Sequence, residues 1–396
     1  MYSRPHYLPL LDEWIGRPVI KALTGLRRSG KSVLLRQVAE RLDQRSEWAG
    51  RVVLVDMELL SNDLLREASA FHAWLQPRPR GAVLIDEVQE IAGWERLTAS
   101  LLAEGWEVWL TGSNAHLLSS ELGTLLTGRF IELPVYPLSL QEFDVFSAGR
   151  ADAFEQHLVW GGLPGLHELG LSERLCSEYL RSVFASILLR DVVARFAVRN
   201  VPLLERLARF IASSVGTPHS ALSIVRYLKS QRQAVSVETV QSYVRHLEAA
   251  YLVHSVPRWD VRGKRHLEIG EKLYLGDVGL FHALMGHSGD INAVLENLVF
   301  LELRRRGHHV SHGSVGDLEI DFVATRDGQT TYVQVAYLAG APETRDRELR
   351  PLRAVKDHHP KVLLSLDPHP IPTDDGVRHG DIRGFLRGVD LVPAHG

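Results

Sequence analysis

A strand-length apolar run, Val19-Ile20-Lys21-Ala22-Leu23, passes through Thr24 into Gly25-Leu26-Arg27-Arg28-Ser29-Gly30-Lys31-Ser32. Val33, Leu34, Val38 and Leu42 follow at helical spacing. A strand, a glycine turn and a helix in this order complete the G-x-x-x-x-G-K-[ST] phosphate-binding pattern and constrain the fold more than any other feature of the 396 residues. The residue types follow from the task. Glycines let backbone N–H groups wrap phosphate oxygens without a Cβ in the way, and a helix N-terminus adds free donors and a favourable dipole. A nucleotide is therefore expected on Gly25, Arg28, Ser29, Gly30, Lys31, Ser32 and Val33, with Lys31 reaching the β- and γ-phosphates and the Ser32 hydroxyl taking a Mg²⁺ position.

A second apolar strand, Ala82-Val83-Leu84-Ile85, delivers Asp86 and Glu87 to its end. Adjacent carboxylates at such a strand tip match the Walker-B arrangement. Asp86 is expected to hold Mg²⁺ through water, and Glu87 to orient and deprotonate the attacking water. A third strand, Val108-Trp109-Leu110-Thr111, ends in Gly112-Ser113-Asn114. Asn114 or Ser113 is read as a polar sensor of the lytic water; both residues also suit a helix N-cap, and the two roles are compatible.

Taken with Gly128-Arg129, Trp160-Gly161-Gly162-Leu163-Pro164 and Leu189-Arg190-Asp191-Val192-Val193, these segments resemble the AAA+ ATPases. They are most similar to the prokaryotic AAA+ group in which a P-loop with paired arginines precedes a C-terminal domain of unassigned function. The resemblance implies Mg-dependent ATP hydrolysis and a homo-oligomeric ring, expected to be hexameric. It also implies that Arg129, in Thr127-Gly128-Arg129-Phe130, acts as an arginine finger on a neighbouring subunit's γ-phosphate, a heterologous contact. Arg190-Asp191 is open to two readings, a nucleotide contact or an ordinary surface pair.

Proline punctuation near Pro134 and Pro137 closes the ATPase core, giving expected divisions of 1–137 for the P-loop core, 138–203 for a helical lid, 204–284 and 285–396. The third segment reads as helices at Leu204–Val215, Ala221–Leu228 and Val237–Ala250, then strands at Leu252–Val256 and Leu273–Leu275 about a turn at 260–265. Three helices and a β-hairpin make a winged helix-turn-helix. Thr239, Ser242, Arg245 and His246 on its third helix, and Arg258, Arg262, Lys264 and Arg265 on its wing, are the nucleic-acid candidates. Residues 219–272 hold nine basic and five acidic side chains, a local +4 against −3 for the whole chain.

The last segment places Glu296 and Asn297 on a helix over 292–305, then strands Glu319-Ile320-Asp321-Phe322-Val323 and Tyr332-Val333-Gln334-Val335-Ala336. This pattern resembles a restriction-endonuclease-like PD-(D/E)xK core, whose chemistry needs two acids on Mg²⁺ and a lysine two residues beyond the second. Asp321 is retained, but Gln334 stands at the second acid and Ala336 at the lysine, so the expectation is a degenerate site of Glu296, Asp321 and Gln334 without nuclease activity. His308, His309 and His312 fit no standard zinc spacing and are read as a solvent loop.

Composition narrows what remains. A single cysteine, 45% hydrophobic residues and no apolar run of membrane-spanning length point to a cytoplasmic globular chain with no membrane partner. Asp12 and Glu13 interrupt the stretch a secretory signal would need. A net charge of −3 gives no global pull on nucleic acid, so binding must be local. The expected function is ATP hydrolysis coupled to duplex or branched DNA in an oligomeric motor. The alternative is a regulatory switch ATPase that acts slowly on a protein partner.

Overall fold

A computed structural model of the chain describes residues 4–114, 128–286, 290–370 and 375–391, with the side chains of 267–269 outside the description. Thr127, two residues before the expected finger Arg129, lies outside the described residues. The chain forms two compact units. One is Met1–Val135 with Ala249–Tyr251, and the other is Tyr136–Glu248 with Leu252–Gly396.

The first unit is built on five parallel strands, β1 (Ile20–Thr24), β2 (Val52–Asp56), β3 (Ala82–Asp86), β4 (Glu107–Gly112) and β5 (Phe130–Pro134), in the order β2-β3-β4-β1-β5. Strand alternation sorts the side chains into two cores. Val83, Ile85, Val108 and Leu110 face one side, packed with Phe71 of α3 (Ala68–Leu75) and with Leu97 and Leu101 of α4 (Trp94–Ala103). Ala82, Leu84 and Trp109 face the other, under Leu8 and Leu11 of α1 (Tyr7–Trp14) and Leu34, Leu35 and Val38 of α2 (Lys31–Asp43). Burial on both faces explains why the strands read as continuous apolar runs. All five strands run the same way, so the ends of β1, β2, β3 and β4 meet at one edge of the sheet.

The second unit contains helices α5 (Leu140–Phe146), α6 (Ala153–Trp160) and α7 (Glu173–Ser186), which fall in the expected lid segment. Next comes a π-helix over Ile187–Ala194. Asp191 within it is buried at 4% exposure, whereas Arg190 is exposed. Helices α8 (Val201–Ser213), α9 (Ala221–Ser230) and α10 (Val237–Ala249) fall on the expected helical segments. They are followed by a hairpin of β7 (Val253–Asp260) and β8 (Arg265–Leu275); a two-residue β6 (Pro218–His219) flanks β8.

The hairpin does not stand alone. It joins β9 (His309–Val315), β10 (Leu318–Arg326), β11 (Gln329–Val335), β12 (Lys361–Ser365) and β13 (Val377–Asp381) in one eight-stranded sheet of order β13-β12-β11-β10-β9-β7-β8-β6. The sheet therefore runs across residues 284 and 285. The joint is the parallel pairing of Trp259 and Asp260 with Gly313 and Ser314. A Cβ on Gly313 would sit 3.0 Å from Ile320 and Val323 of the neighbouring β10, so glycine permits the close packing of β9 on that side. Both hairpin strands outrun the sequence reading. Pro257 lacks an N–H, and the register shifts between Val256 and Arg258 beside it, which hides the alternation beyond Val256. Helices α11 (Val278–Met285), α12 (Ile291–Arg305), α13 (Pro342–Ala354) and α14 (Ile382–Leu386) complete the unit. His309 and His312 lie on β9 rather than in a solvent loop, and His312 is buried.

Candidate functional site

The glycine turn closes against the end of the sheet. Gly25 has φ +138°, and a Cβ there would lie 2.2 Å from the Val135 carbonyl oxygen, so only glycine fits. Gly30 (φ +100°) opens α2 directly at Lys31. The Lys31 ammonium is buried and donates to the carbonyls of Gly25 and Leu26, 3.0 Å each. The Ser29 hydroxyl is buried with no hydrogen-bond partner. An unsatisfied buried hydroxyl and an ammonium folded onto its own loop are the groups an anionic ligand would engage, so the loop fits a nucleotide phosphate chain.

Two acids and two hydroxyls face this turn. Ser32 donates to Asp86 Oδ1 at 3.1 Å. Thr111 Oγ1, from the end of β4, donates to the same Asp86 oxygen and accepts the Glu87 N–H at 2.9 Å. Burial pushes the Asp86 carboxyl upward, the Thr111 and Ser32 hydroxyls pull it back, and nearby Glu87 and Asp56 push it up again. Glu87 is a non-glycine residue at φ 54°, a conformation uncommon outside functional or turn positions. Its carboxylate accepts a hydrogen bond from Gln89. Ser113 and Asn114 are buried at the end of β4. The Ser32–Asp86 pair offers two oxygen ligands of the kind Mg²⁺ takes.

Arg129 occupies the other end of the sheet. It immediately precedes β5, and its carbonyl accepts from the N–H of Ile20, the first residue of β1, at 2.8 Å. Five residues of strand, roughly 17 Å, separate that end from the glycine turn. Arg129 is exposed there.

Two contributors escape the sequence reading. Thr111 is given no role of its own in the sequence, although its hydroxyl ties the Asp86 carboxylate to the Glu87 backbone. Arg4 is buried, stacks over Tyr7 at 4.5 Å and donates to the Ser29 carbonyl at 2.9 Å. No local pattern marks an arginine that acts 25 residues away.

In the second unit, Thr239 and Ser242 are half-buried. Thr239 bonds Ser236 at the start of α10, and Ser242 bonds His246 at 3.4 Å. The His246 ring stacks flat on Phe196 at 4.1 Å. Arg245 is exposed, and Arg262, Lys264 and Arg265 crowd the exposed hairpin tip, with Arg258 half-buried behind them. Glu296, Asp321 and Gln334, expected from the sequence to form a degenerate site, lie near one another. Asp321 Oδ2 accepts the Val335 N–H at 2.9 Å, and the Gln334 side-chain oxygen accepts the Asp321 N–H at 3.3 Å. Glu296 approaches from α12, but the cation among these groups is Lys272 of β8. Among the described residues, no group of three or more His, Cys, Asp or Glu is arranged to hold a metal.

Comparison with known proteins agrees with this geometry. Residues 17–144 match a family described as an AAA domain, and residues 151–290 match one described as a domain of unknown function (DUF8612). An uncharacterized protein of Haemophilus influenzae is 34% identical over 378 residues, covering 92% of this chain and 93% of that protein. An uncharacterized protein of Methanocaldococcus jannaschii is 26% identical over 364 residues, covering 85% and 79%. Among solved structures, a Walker-type ATPase of Pyrococcus abyssi is similar, with TM-score 0.50 and 16% identity, over 72% of this chain and 96% of that one. That likeness speaks for the fold.

Proposed function

Because this chain belongs to one family with its Haemophilus influenzae relative, a P-loop ATPase family built on an AAA domain, we propose that it couples ATP hydrolysis in a head-to-tail ring to DNA held by its second unit. The observation that carries the catalytic half is Thr111, whose one hydroxyl bridges Asp86 and the backbone of Glu87. That bridge ties the acid for the metal to the acid for the water. Lys31 and the N–H groups of Ser29 to Val33 would bind the phosphate chain. Ser32 and Asp86 would hold Mg²⁺, which when bound supplies charge neutralisation at the phosphate oxygens. Glu87, released from Gln89, would orient water for in-line attack and take its proton as the bond to the leaving ADP breaks. Asn114 and Ser113 would sense the γ-phosphate.

The position of Arg129 at the opposite end of the sheet supports a finger acting in trans, because it cannot serve the phosphate site of its own sheet. A six-membered ring is the expected closure. For DNA, the exposed Arg262, Lys264 and Arg265 at the hairpin tip support contact with the phosphate backbone, joined by Arg245 and Arg258. Thr239, Ser242 and His246 are engaged within the unit, which favours sequence-independent contact over base reading.

Steady-state ATP hydrolysis measured without nucleic acid and with single strand, duplex and a four-way junction, at two salt concentrations, tests this reading. Stimulation that is greatest on one DNA form and falls steeply with salt is expected. A flat response in a protein that still turns over ATP would overturn the DNA half and favour the regulatory switch acting on a protein partner.

A further inference from the structure

The lysine that a nuclease-like strand would carry at position 336 is absent, yet a lysine stands at the centre of the site. Lys272 enters from β8, 49 residues before Asp321, and its side chain is 1% exposed. Its ammonium lies 2.6 Å from Glu319, 2.9 Å from Glu296 and 3.3 Å from Asp321, carboxylates supplied by β10 and α12. An ammonium has three donors and no acceptor, so three carboxylates consume its entire hydrogen-bonding capacity. Two of the acids have further support: the Tyr274 hydroxyl donates to Glu296 at 2.6 Å, and the Val335 N–H donates to Asp321.

Three carboxylate oxygens converging on a point are what a hard divalent ion needs, at separations of about 2.0–2.6 Å. Here that point is occupied by nitrogen, with Glu296 and Asp321 at 2.9 and 3.3 Å, beyond metal-ligand distance, and Glu319 in a closer ion pair at 2.6 Å. The residues therefore do not fit the metal that the nuclease-like fold implies, because a covalently tethered cation holds its place. Holding the largely buried Glu296 and Asp321 beside the half-exposed Glu319 without a cation would be costly, and a tethered one costs no association entropy and cannot be chelated away.

We propose that the Lys272 ammonium is the resident cation of this carboxylate cluster, standing where a divalent metal would otherwise be held. The same contact clamps the hairpin strand β8 to β10 and α12, so the site is a staple between segments that sequence places in separate domains. The inference does not depend on the ATPase or DNA readings.

Terbium provides the probe, because it binds hard oxygen ligands and its emission is sensitised by a nearby tyrosine such as Tyr274. Nucleotide-free wild type, Lys272→Met and Lys272→Met/Asp321→Asn are titrated with Tb³⁺, then with Ca²⁺ as competitor, each beside Asp321→Asn alone to isolate emission that depends on Asp321. Any Asp321-dependent site in wild type is expected to be at least 100-fold weaker than the one that Lys272→Met gains, which Ca²⁺ displaces. If Lys272→Met is unstable, millimolar Ca²⁺ should restore its thermal midpoint while leaving wild type unchanged. An Asp321-dependent Tb³⁺ site of equal affinity in wild type would overturn the proposal, since metal and ammonium would then coexist. So would a folded Lys272→Met that gains no site, or an unfolded one that Ca²⁺ fails to restore.

Discussion

Replacing Thr111 with valine removes one hydroxyl at nearly constant volume, and the structure fixes what is lost. Asp86 loses a donor, and the buried Glu87 N–H loses its acceptor. A hydrogen bond to a charged group is worth about 1.5–3 kcal/mol, and an orphaned buried N–H costs about 1–3 kcal/mol. The second cost appears in folding stability, as a lower denaturation midpoint. The first appears in the placing of Asp86 and Glu87 and, at about 1.4 kcal/mol per tenfold, corresponds to a kcat lower by roughly 10–100-fold. The hydroxyl bonds to the Asp86 carboxylate and the Glu87 backbone N–H rather than to the phosphate turn, so nucleotide affinity should change by less than about threefold, equivalent to under about 1 kcal/mol. Removing a group that lowers the Asp86 carboxyl must raise it further, so the acid limb of the kcat–pH profile should move to higher pH. Thr111→Ser, which keeps the hydroxyl, should restore rate and profile. Steady-state turnover with equilibrium binding of a fluorescent nucleotide separates these outcomes. An unchanged kcat, or a loss confined to affinity, would refute the bridge.

Arg129→Ala should retain ATP binding and lose turnover, and mixing it with Lys31→Ala subunits should restore part of the rate; intact mixed assemblies that stay inactive would remove the finger from Arg129. Gly25→Ala drives a Cβ into the Val135 carbonyl in a left-handed conformation, so isothermal titration should show at least tenfold weaker nucleotide binding, and unchanged binding would contradict the close packing of the turn. His157 and His312 are buried, and burial lowers both to about 4 from an ordinary 6.5. As pH falls below 6.5 the unfolded chain takes up protons first, so stability is full above that value and drains toward pH 4. Each group accounts for about 1.4 kcal/mol per pH unit and up to roughly 3 kcal/mol in all. Urea midpoints measured across this range should fall with acid, and His157→Gln should flatten the slope; a slope unchanged by the substitution would exclude His157 as a source.

The phosphate site is legible in the sequence because it is local. A strand, a turn that only glycine can make at Gly25, and a helix start at Lys31 are contiguous, and backbone sterics alone specify their conformation. Asp86 and Glu87 are legible for the same reason: a doubly buried strand reads as an apolar run, and its end is where polar residues resume. The helices of the second unit show in their apolar spacing. The hairpin reads short, because Pro257 and the register shift beside it erase the alternation on which such a reading relies.

What only the tertiary structure decides are the contacts between distant segments. Thr111 reaches Asp86, Arg4 reaches Ser29, and Lys272 meets Glu296, Glu319 and Asp321 across as many as 49 residues. Absence of a lysine at 336 is a true statement about sequence and a poor guide to the site, because charge is neutralised through space rather than along the chain. Likewise, the boundary expected near 284 follows a change of pattern in the chain, whereas backbone pairing of β7 with β9 makes a single sheet across it. Local conformation follows from neighbours in sequence; electrostatic satisfaction and strand pairing are set by neighbours in space, and those exist only once the chain has folded.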